Sequence, residues 1–80
     1  MSALGKQIGE TIRQERNKRG MSQPEFAELI GMKEQNLSSL ERGIREPGTE
    51  TLEKIAEALE MIVAVQFFPK REIISIDEVE

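Results

Sequence analysis

Four short amphipathic segments, separated by glycines, most constrain how this 80-residue chain can fold. In the first segment Leu4, Ile8 and Ile12 recur every four positions, which is the spacing of one face of a helix that ends at Lys18. The last segment, from Thr49 to about Glu60, has the i, i+3, i+4, i+7 spacing of a helix, at Leu52, Ile55, Ala56 and Leu59. The glycines that end the first three segments are Gly20, Gly31 and Gly43.

The two middle segments are shorter and begin with clear signals. Ser22 and Glu25 have the spacing of a capping box, in which each side chain bonds the other residue's backbone N–H. The helix that follows is expected to bury one face, formed by Phe26, Ala27, Leu29 and Ile30. A third helix is predicted from about Lys33 to Arg42, with Leu37 and Leu40 facing inward. The sequence therefore predicts one all-α domain of short helices.

The composition argues against catalysis and metal binding. The chain has no cysteine and no histidine, which excludes a disulfide framework and removes the commonest general base and metal ligand. It has no glycine-rich phosphate loop and no nucleophile motif. We expect a protein that is not an enzyme and needs no cofactor. No apolar run is long enough to span a membrane, so we also expect a cytoplasmic protein.

The composition changes after Glu60. Residues 62–68 are β-branched and aromatic and are followed by Pro69, which predicts a short C-terminal β-strand, with a second possible at residues 73–76. The chain is thus expected to divide into a helical domain, 1–60, and a C-terminal strand and tail, 61–80. We predict that the strand forms a dimer interface through Ile62, Val63, Val65, Phe67 and Phe68. Two alternatives remain open: the strand could cover the fourth helix, or pair with residues 72–76 as a hairpin.

The net charge of −4 is unevenly distributed. Residues 1–48 carry eight Lys and Arg against seven Glu, giving +1, and residues 49–80 carry three against eight Asp and Glu, giving −5. The local field of one face matters more for contact with phosphates than the sum. The acidic balance lowers the expected non-specific affinity for nucleic acid but does not exclude specific binding.

Residues 9–59 resemble the Cro/CI/Xre family of phage and bacterial repressors. The resemblance is carried by the arginines of the first helix, then by "SQPEFAELIG", "LSSLERG" and the pattern P-x-x-x-T-L-x-K-I-A-x-A-L, in that order. It implies a lambda-repressor-like helix-turn-helix domain of four to five short helices. It also implies that the domain binds double-stranded DNA, with the third helix in the major groove.

The resemblance implies roles by position. Gln23 matches a residue that bonds a phosphate and braces the recognition helix, and Ser22 beside it joins the predicted DNA-binding set. The positions that match groove-facing residues are Lys33, Glu34, Gln35, Ser38 and Ser39. Arg42 and Arg45 match phosphate contacts, and Arg16 and Glu41 match a structural ion pair. Without the motif, these polar residues would be an ordinary solvated helix face and unrelated surface charges.

Three positions depart from the family pattern. Lys33 stands where a Ser or Thr usually caps the third helix, so this cap is expected to be weaker. Glu34 places a negative charge where phosphates approach, although it could accept a hydrogen bond from a cytosine amine. Glu15 replaces a common leucine, so the first helix is expected to pack less deeply there.

The function predicted from the sequence is a dimeric transcriptional repressor that binds a palindromic operator. One alternative is the antitoxin of a toxin–antitoxin pair, because the ending "ALEMIVAVQFFPK" resembles that of several Xre-type antitoxins. Such a protein would repress its own operon and bind a toxin. Another alternative is an adaptor that uses the same fold to bind protein, which the acidic balance would permit.

Overall fold

The computed structural model describes residues 2–70, and within them the chain forms four helices and no β-strand. The helices are α1 (Ala3–Lys18), α2 (Gln23–Leu29), α3 (Glu34–Glu41) and α4 (Thr49–Ala58). The predicted all-α fold is confirmed, and each predicted helix is present within a few residues of its expected bounds. No helix in this part of the chain has the length and apolar content needed to cross a membrane.

The core lies where α2, α3 and α4 meet α1. Phe26 and Leu37 are completely buried, and Ile55 is nearly so. The other buried members of this cluster are Ile12, Ala27, Ile30, Leu40 and Leu59. Every helix contributes to this cluster, so the apolar spacing seen in the sequence corresponds to one shared core. Burial of these side chains is the main favourable term in the stability of the domain.

All four helices end in the same hydrogen-bonding pattern, in which the chain turns through a residue with positive φ. At the end of α2 that residue is Gly31, with φ of +67°; its N–H and that of Met32 bond back to carbonyls of the last turn. At the end of α4 it is Glu60, with φ of +57°. A side chain in this region is strained, so α4 ends at a conformational cost that a glycine would avoid.

Helix α1 lies against the C-terminal end of α3 at Gly9. A Cβ atom at this position would be 2.2 Å from the carbonyl oxygen of Leu40 and 2.8 Å from that of Glu41. Both contacts are with backbone, which cannot move aside as a flexible side chain can. Gly9 therefore sets the distance between the two helices, and any larger residue would push α1 away from α3.

The predicted strand at residues 62–68 is wrong for the described part of the chain. Residues 61–69 are exposed and have no secondary structure. A strand needs a hydrogen-bonded neighbour, and residues 2–70 provide none. The exposed side chains do not cover α4, which excludes the alternative that the segment closes the core of its own chain. The second strand considered, at residues 73–76, lies outside the described residues.

Two leucines assigned to helix faces are not buried either. Leu4 and Leu29 are both about 60% exposed, at 62% and 59%. Leu4 lies in the first turn of α1 and Leu29 in the last turn of α2. The faces at these two ends extend beyond the core, so the periodic pattern there overestimates burial.

Candidate nucleic-acid interface

Helix α3 has one buried face and one polar face. Leu37, Leu40 and Glu41 are buried against the other helices. The opposite face is formed by the residues that the sequence assigned to DNA contact. Glu34, Gln35 and Arg42 are exposed, Lys33 just before the helix is exposed as well, and Ser38 and Ser39 are partly buried. Six of the predicted residues thus share one solvent-facing surface of a short helix.

Two ion-paired residues hold α3 against α1. The Arg16 guanidinium donates to both carboxylate oxygens of Glu41, at 2.7 Å from Nε and 2.9 Å from Nη2. The Glu41 side chain is only 1% exposed, so the pair is shielded from solvent. The bond to Glu41 raises the pKa of Arg16 above its ordinary value, which keeps it charged. A third bond, from Nη1 of Arg16 to the carbonyl of Met21 at 2.7 Å, fixes the turn before α2.

Gln23 and Ser22 lie at the N-terminus of α2. The Gln23 amide donates from Nε2 to Oε1 of Glu41 at 2.9 Å, so α1, α2 and α3 all meet at this carboxylate. Ser22 Oγ accepts from the N–H of Glu25 at 3.2 Å, and Oε1 of Glu25 accepts from the N–H of Ser22 at 2.8 Å. The backbone bond from Ser22 lowers the pKa of Glu25. The capping box is therefore complete, and Ser22 keeps its hydroxyl proton for another acceptor.

A shallow groove of about 420 Å³ runs along one side of the polar face of α3. On the α3 side it is lined by Ser38 and by Arg42, which directly follows the helix, and Gln23 of α2 also lines it. The other wall is the exposed edge of α1, formed by Lys6, Glu10 and Arg13. Glu10 and Arg13 are ion-paired, and this bond lowers the pKa of Glu10.

The other side of α3 faces the loop to α4. A second open groove of about 510 Å³ is lined there by three cations, Lys33, Arg45 and Lys54, and by one carboxylate, Glu46. Nη1 of Arg45 donates to Oδ1 of Asn36 on α3 at 2.9 Å, which fixes the guanidinium beside the helix. Cations therefore border α3 on both sides, although the chain as a whole is acidic.

The residues predicted to form a dimer interface lie away from the core and are all exposed. Ile62 is 95% exposed and Phe67 is 90% exposed, and Val63, Val65 and Phe68 are also at the surface. Such a run of exposed apolar side chains is unusual for a monomeric soluble protein.

A family model described as helix-turn-helix matches residues 12–61, which include all of α2, α3 and α4. The match covers more than half of the chain. The chain belongs to this helix-turn-helix family. The resemblance found in the sequence is thereby confirmed, and α2 and α3 are the two helices of the motif.

Two curated proteins are similar to the chain over more than half of its length. The chain is 38% identical over 52 residues to the ImmF control region 10 kDa protein of Bacillus phage phi105, a match covering 65% of this chain and 58% of that protein. It is 41% identical over 56 residues to the uncharacterized HTH-type transcriptional regulator y4dJ of Sinorhizobium fredii. That match covers 70% of this chain and 73% of that protein. The chain thus spans less than two thirds of the length of the phage relative.

A solved helix-turn-helix structure is also similar. The restriction-modification controller protein C.AhdI from Aeromonas hydrophila superposes with a TM-score of 0.72 at 30% identity. The similarity covers 76% of this chain and 92% of C.AhdI. The chain carries the DNA-binding fold of helix-turn-helix transcriptional regulators.

Sequence reasoning missed the part of this surface that does not belong to the helix-turn-helix motif. It did not single out Lys6 and Arg13 on α1 or Lys54 on α4, and it did not assign a role to Asn36. One signal was present: Gly5 and Gly9 are four positions apart, which places two small residues on one face of α1. That spacing is typical of a helix approached closely by another backbone.

Proposed function

We propose that this chain is a transcriptional repressor that binds a palindromic DNA operator as a homodimer. The observation that carries the proposal is the polar face of α3, which is solvent-exposed and held rigidly by the contacts of Glu41 with Arg16 and Gln23. A helix presented in this way fits a major groove about 12 Å wide. The names of the relatives, a phage control-region protein and a restriction-modification controller, support a role in regulating genes.

Gln35 and Ser39 are proposed to read bases. They lie near the middle of the exposed face of α3, four positions apart and therefore on one row. A glutamine amide can donate to and accept from adenine at the same time, and a serine hydroxyl bonds either kind of base edge. Ser38 lies on the side of the α1 groove, and Glu34 could accept a hydrogen bond from a cytosine amine.

Arg42, Arg45 and Gln23 are proposed to position the duplex through its phosphates. Arg42 is exposed at the end of α3, and Arg45 is held beside the helix by Asn36. Gln23 uses one amide hydrogen on Glu41 and keeps the other for a phosphate oxygen. Lys33 and Ser22, at the starts of the two motif helices, are proposed to add further contacts of this kind.

The test of DNA binding is a gel shift and footprint on the DNA upstream of the chain's own gene. We expect Gln35→Ala to lose about 1–3 kcal/mol of preference for the cognate site, the usual scale for one bidentate base contact. We expect Arg42→Ala to weaken binding to cognate and to random DNA about equally and to reduce the salt dependence of binding.

Two results would contradict these assignments. If both variants lose specific and random binding in the same proportion, the division between reading and positioning residues is wrong. If the wild-type chain protects no DNA in this region, the proposed operator there is wrong and the adaptor alternative is favoured.

The homodimer is proposed because a single α3 reads too few base pairs for selectivity in a genome. The exposed apolar segment at residues 61–68 is the surface proposed to join two copies. Its side chains are exposed on consecutive positions, so one copy cannot cover them by itself. The same segment of a second copy would cover them and would also satisfy its backbone N–H and C=O groups.

Truncation after Glu60 tests this assembly. We expect the truncated chain to keep its helices, because no core residue lies beyond Leu59 among the described residues. We expect it to be monomeric and to bind the operator weakly. Light scattering and circular dichroism on the full and truncated chains measure both properties. A truncated chain that still dimerises would place the interface on the helical body.

The same exposed segment supports a second candidate function, that of an antitoxin. An extended apolar segment suits capture by a partner protein as well as by a second copy. Copurification of the full chain with the product of an adjacent gene, lost on truncation after Glu60, would favour the antitoxin. A pure homodimer with no retained product favours the free-standing repressor.

A further inference from the structure

The exposed edge of α1, formed by Lys6, Glu10 and Arg13, carries charge that the helix-turn-helix motif does not use. Lys6 is exposed, and the side chains of Arg13 and Glu10 are about half-exposed, at 45% and 50%. All three line the same groove as Ser38 and Arg42 of α3. The residues fall at i, i+4 and i+7, so they form one row along the helix.

Close packing brings this row next to the polar face of α3. Gly9 allows the α1 backbone to touch the last turn of α3, as described above. A Cβ atom at Gly43 would be 3.1 Å from the Cα atom of Lys6, so the α1 backbone also lies against the residue that ends α3. The α1 row is therefore a side wall of the recognition surface and not a separate surface.

The charge balance of this groove is positive. It contains three cations, Lys6, Arg13 and Arg42, and two carboxylates. Glu41 is neutralised by Arg16 from the core side. Glu10 is the remaining acid, and it is paired with Arg13. Lys6 and Arg42 have no ion-pair partner among the described residues, which leaves two cations available to an anionic ligand.

The partner that fits is a duplex backbone. The second groove, on the opposite side of α3, carries three cations, Lys33, Arg45 and Lys54, against one carboxylate, Glu46. The polar helix therefore lies between two rows of net positive charge. A major groove is bordered by two rows of phosphates, with one negative charge per about 1.7 Å of helix axis over both strands. A small anion would need only one cluster, whereas the two rows match the two borders of a groove.

We propose that Lys6 and Arg13 of α1 bind the phosphates of one DNA strand, and that Glu10 competes with those phosphates for Arg13. This proposal rests on the proposed function and extends the DNA surface beyond the helix-turn-helix motif. Lys6 contacts phosphate directly. Arg13 exchanges its bond to Glu10 for a bond to phosphate, or shares its donors between the two, because a guanidinium has five N–H groups. Glu10 thereby limits binding that is independent of sequence.

The first experiment compares lysine and arginine variants on a short mixed-sequence DNA duplex, with affinity measured by fluorescence anisotropy over a range of salt concentrations. Lys6→Gln and Arg13→Gln should each lower the affinity about three- to tenfold near 0.1 M salt and reduce the slope of log K against log salt by about one. Lys18→Gln is the matched control on the same helix, since its exposed side chain bonds Glu15 and does not line the groove. It should leave the slope unchanged.

The second experiment tests the role of Glu10 with two variants that change the net charge equally. Glu10→Gln frees Arg13 and should raise the affinity for the mixed-sequence duplex several-fold, with a steeper salt dependence. Glu57→Gln removes an exposed carboxylate of α4 that lines neither groove. Glu57→Gln should change the affinity for this duplex by less than half as much as Glu10→Gln does. Equal gains in the two variants would show a net-charge effect and overturn the competition between Glu10 and phosphate.

The outcomes separate this proposal from the one on which it rests. If Arg42→Ala loses binding while Lys6→Gln and Arg13→Gln bind as the wild type does, DNA binding stands and the α1 contacts are wrong. If no variant and no wild-type chain binds duplex DNA, both proposals fail. Circular dichroism on each variant checks folding, and the substituted side chains are exposed, so we expect the helices to be retained.

Discussion

The helical body, residues 3–59, and the extended segment, residues 61–69, are both rich in apolar side chains but use them in opposite ways. Phe26 in the body is completely buried, whereas Phe67 in the segment is 90% exposed. The body spaces its apolar residues at helical intervals, so each helix has one face to bury and one to leave in water. The segment places them on consecutive positions, and the helical body leaves them exposed. Periodicity, not apolar content, separates the buried apolar side chains from the exposed ones.

The largest expected effect comes from the two phenylalanines. Phe26→Ala should cost about 3–5 kcal/mol of unfolding free energy, because it leaves a cavity in the core. That approaches the whole stability of a domain this small. Phe67→Ala should change the unfolding free energy of dilute protein by less than about 0.5 kcal/mol, as for other surface positions. Urea denaturation at low protein concentration measures both, and a large loss in Phe67→Ala would show that the segment belongs to the fold.

The next largest expected effect comes from the buried ion pair of the helical body, Arg16 and Glu41. Glu41→Ala leaves the Arg16 guanidinium buried without its partner and also removes the acceptor of Gln23. We expect a loss of up to about 3–5 kcal/mol, and the double variant Arg16→Met, Glu41→Leu should recover much of it. Glu57→Ala, at an exposed position, is the control and should be nearly neutral. An unchanged melting temperature in Glu41→Ala would rule out a structural role for the pair.

The smallest expected effect lies at Glu60, where the two regions join. Glu60→Gly should stabilise the body by about 0.5–1 kcal/mol, since glycine adopts positive φ without strain. Each kcal/mol shifts the melting temperature by roughly 4–8 °C in a domain of this size. Gly31→Ala is the converse variant, since a Cβ atom there would meet nothing within 4 Å and only the φ strain is tested. Opposite shifts in the two variants are expected, and shifts of the same sign would contradict the strain at Glu60.

Much of the body could be predicted from the sequence because its signals are local. The capping box at Ser22 and the turn at Gly31 depend only on neighbouring residues, and both are present. The predicted strand at residues 62–68 failed for the opposite reason. Strand propensity describes a segment that fits a sheet, but the sheet itself requires a partner that sequence spacing cannot supply.

The candidate site was predictable only in part. Residues of α3 could be assigned from the family resemblance because they belong to one continuous helix. The α1 cations could not, since Lys6 and Gly43 meet across 37 positions of sequence, and the contact depends on how α1 crosses α3. Gly9 was the available indication, but a glycine in a helix has several explanations, and none of them specifies which neighbour approaches.

Arg19 has a consequence for how precisely two copies could be aligned on DNA. Its Nη2 donates to the carbonyl of Leu59 at 2.7 Å, and its Nη1 bonds Glu15, so the point where the extended segment leaves the body is fastened to the end of α1. In the proposed dimer, this link fixes the orientation of the first residues of the segment relative to the helical body. Operators with one base pair inserted between half-sites would turn one half-site by about 34° relative to the other, since a helical turn has about 10.5 base pairs. We expect the dimer to bind these altered operators more weakly because the orientation is fixed. Arg19→Ala should restore part of the lost affinity.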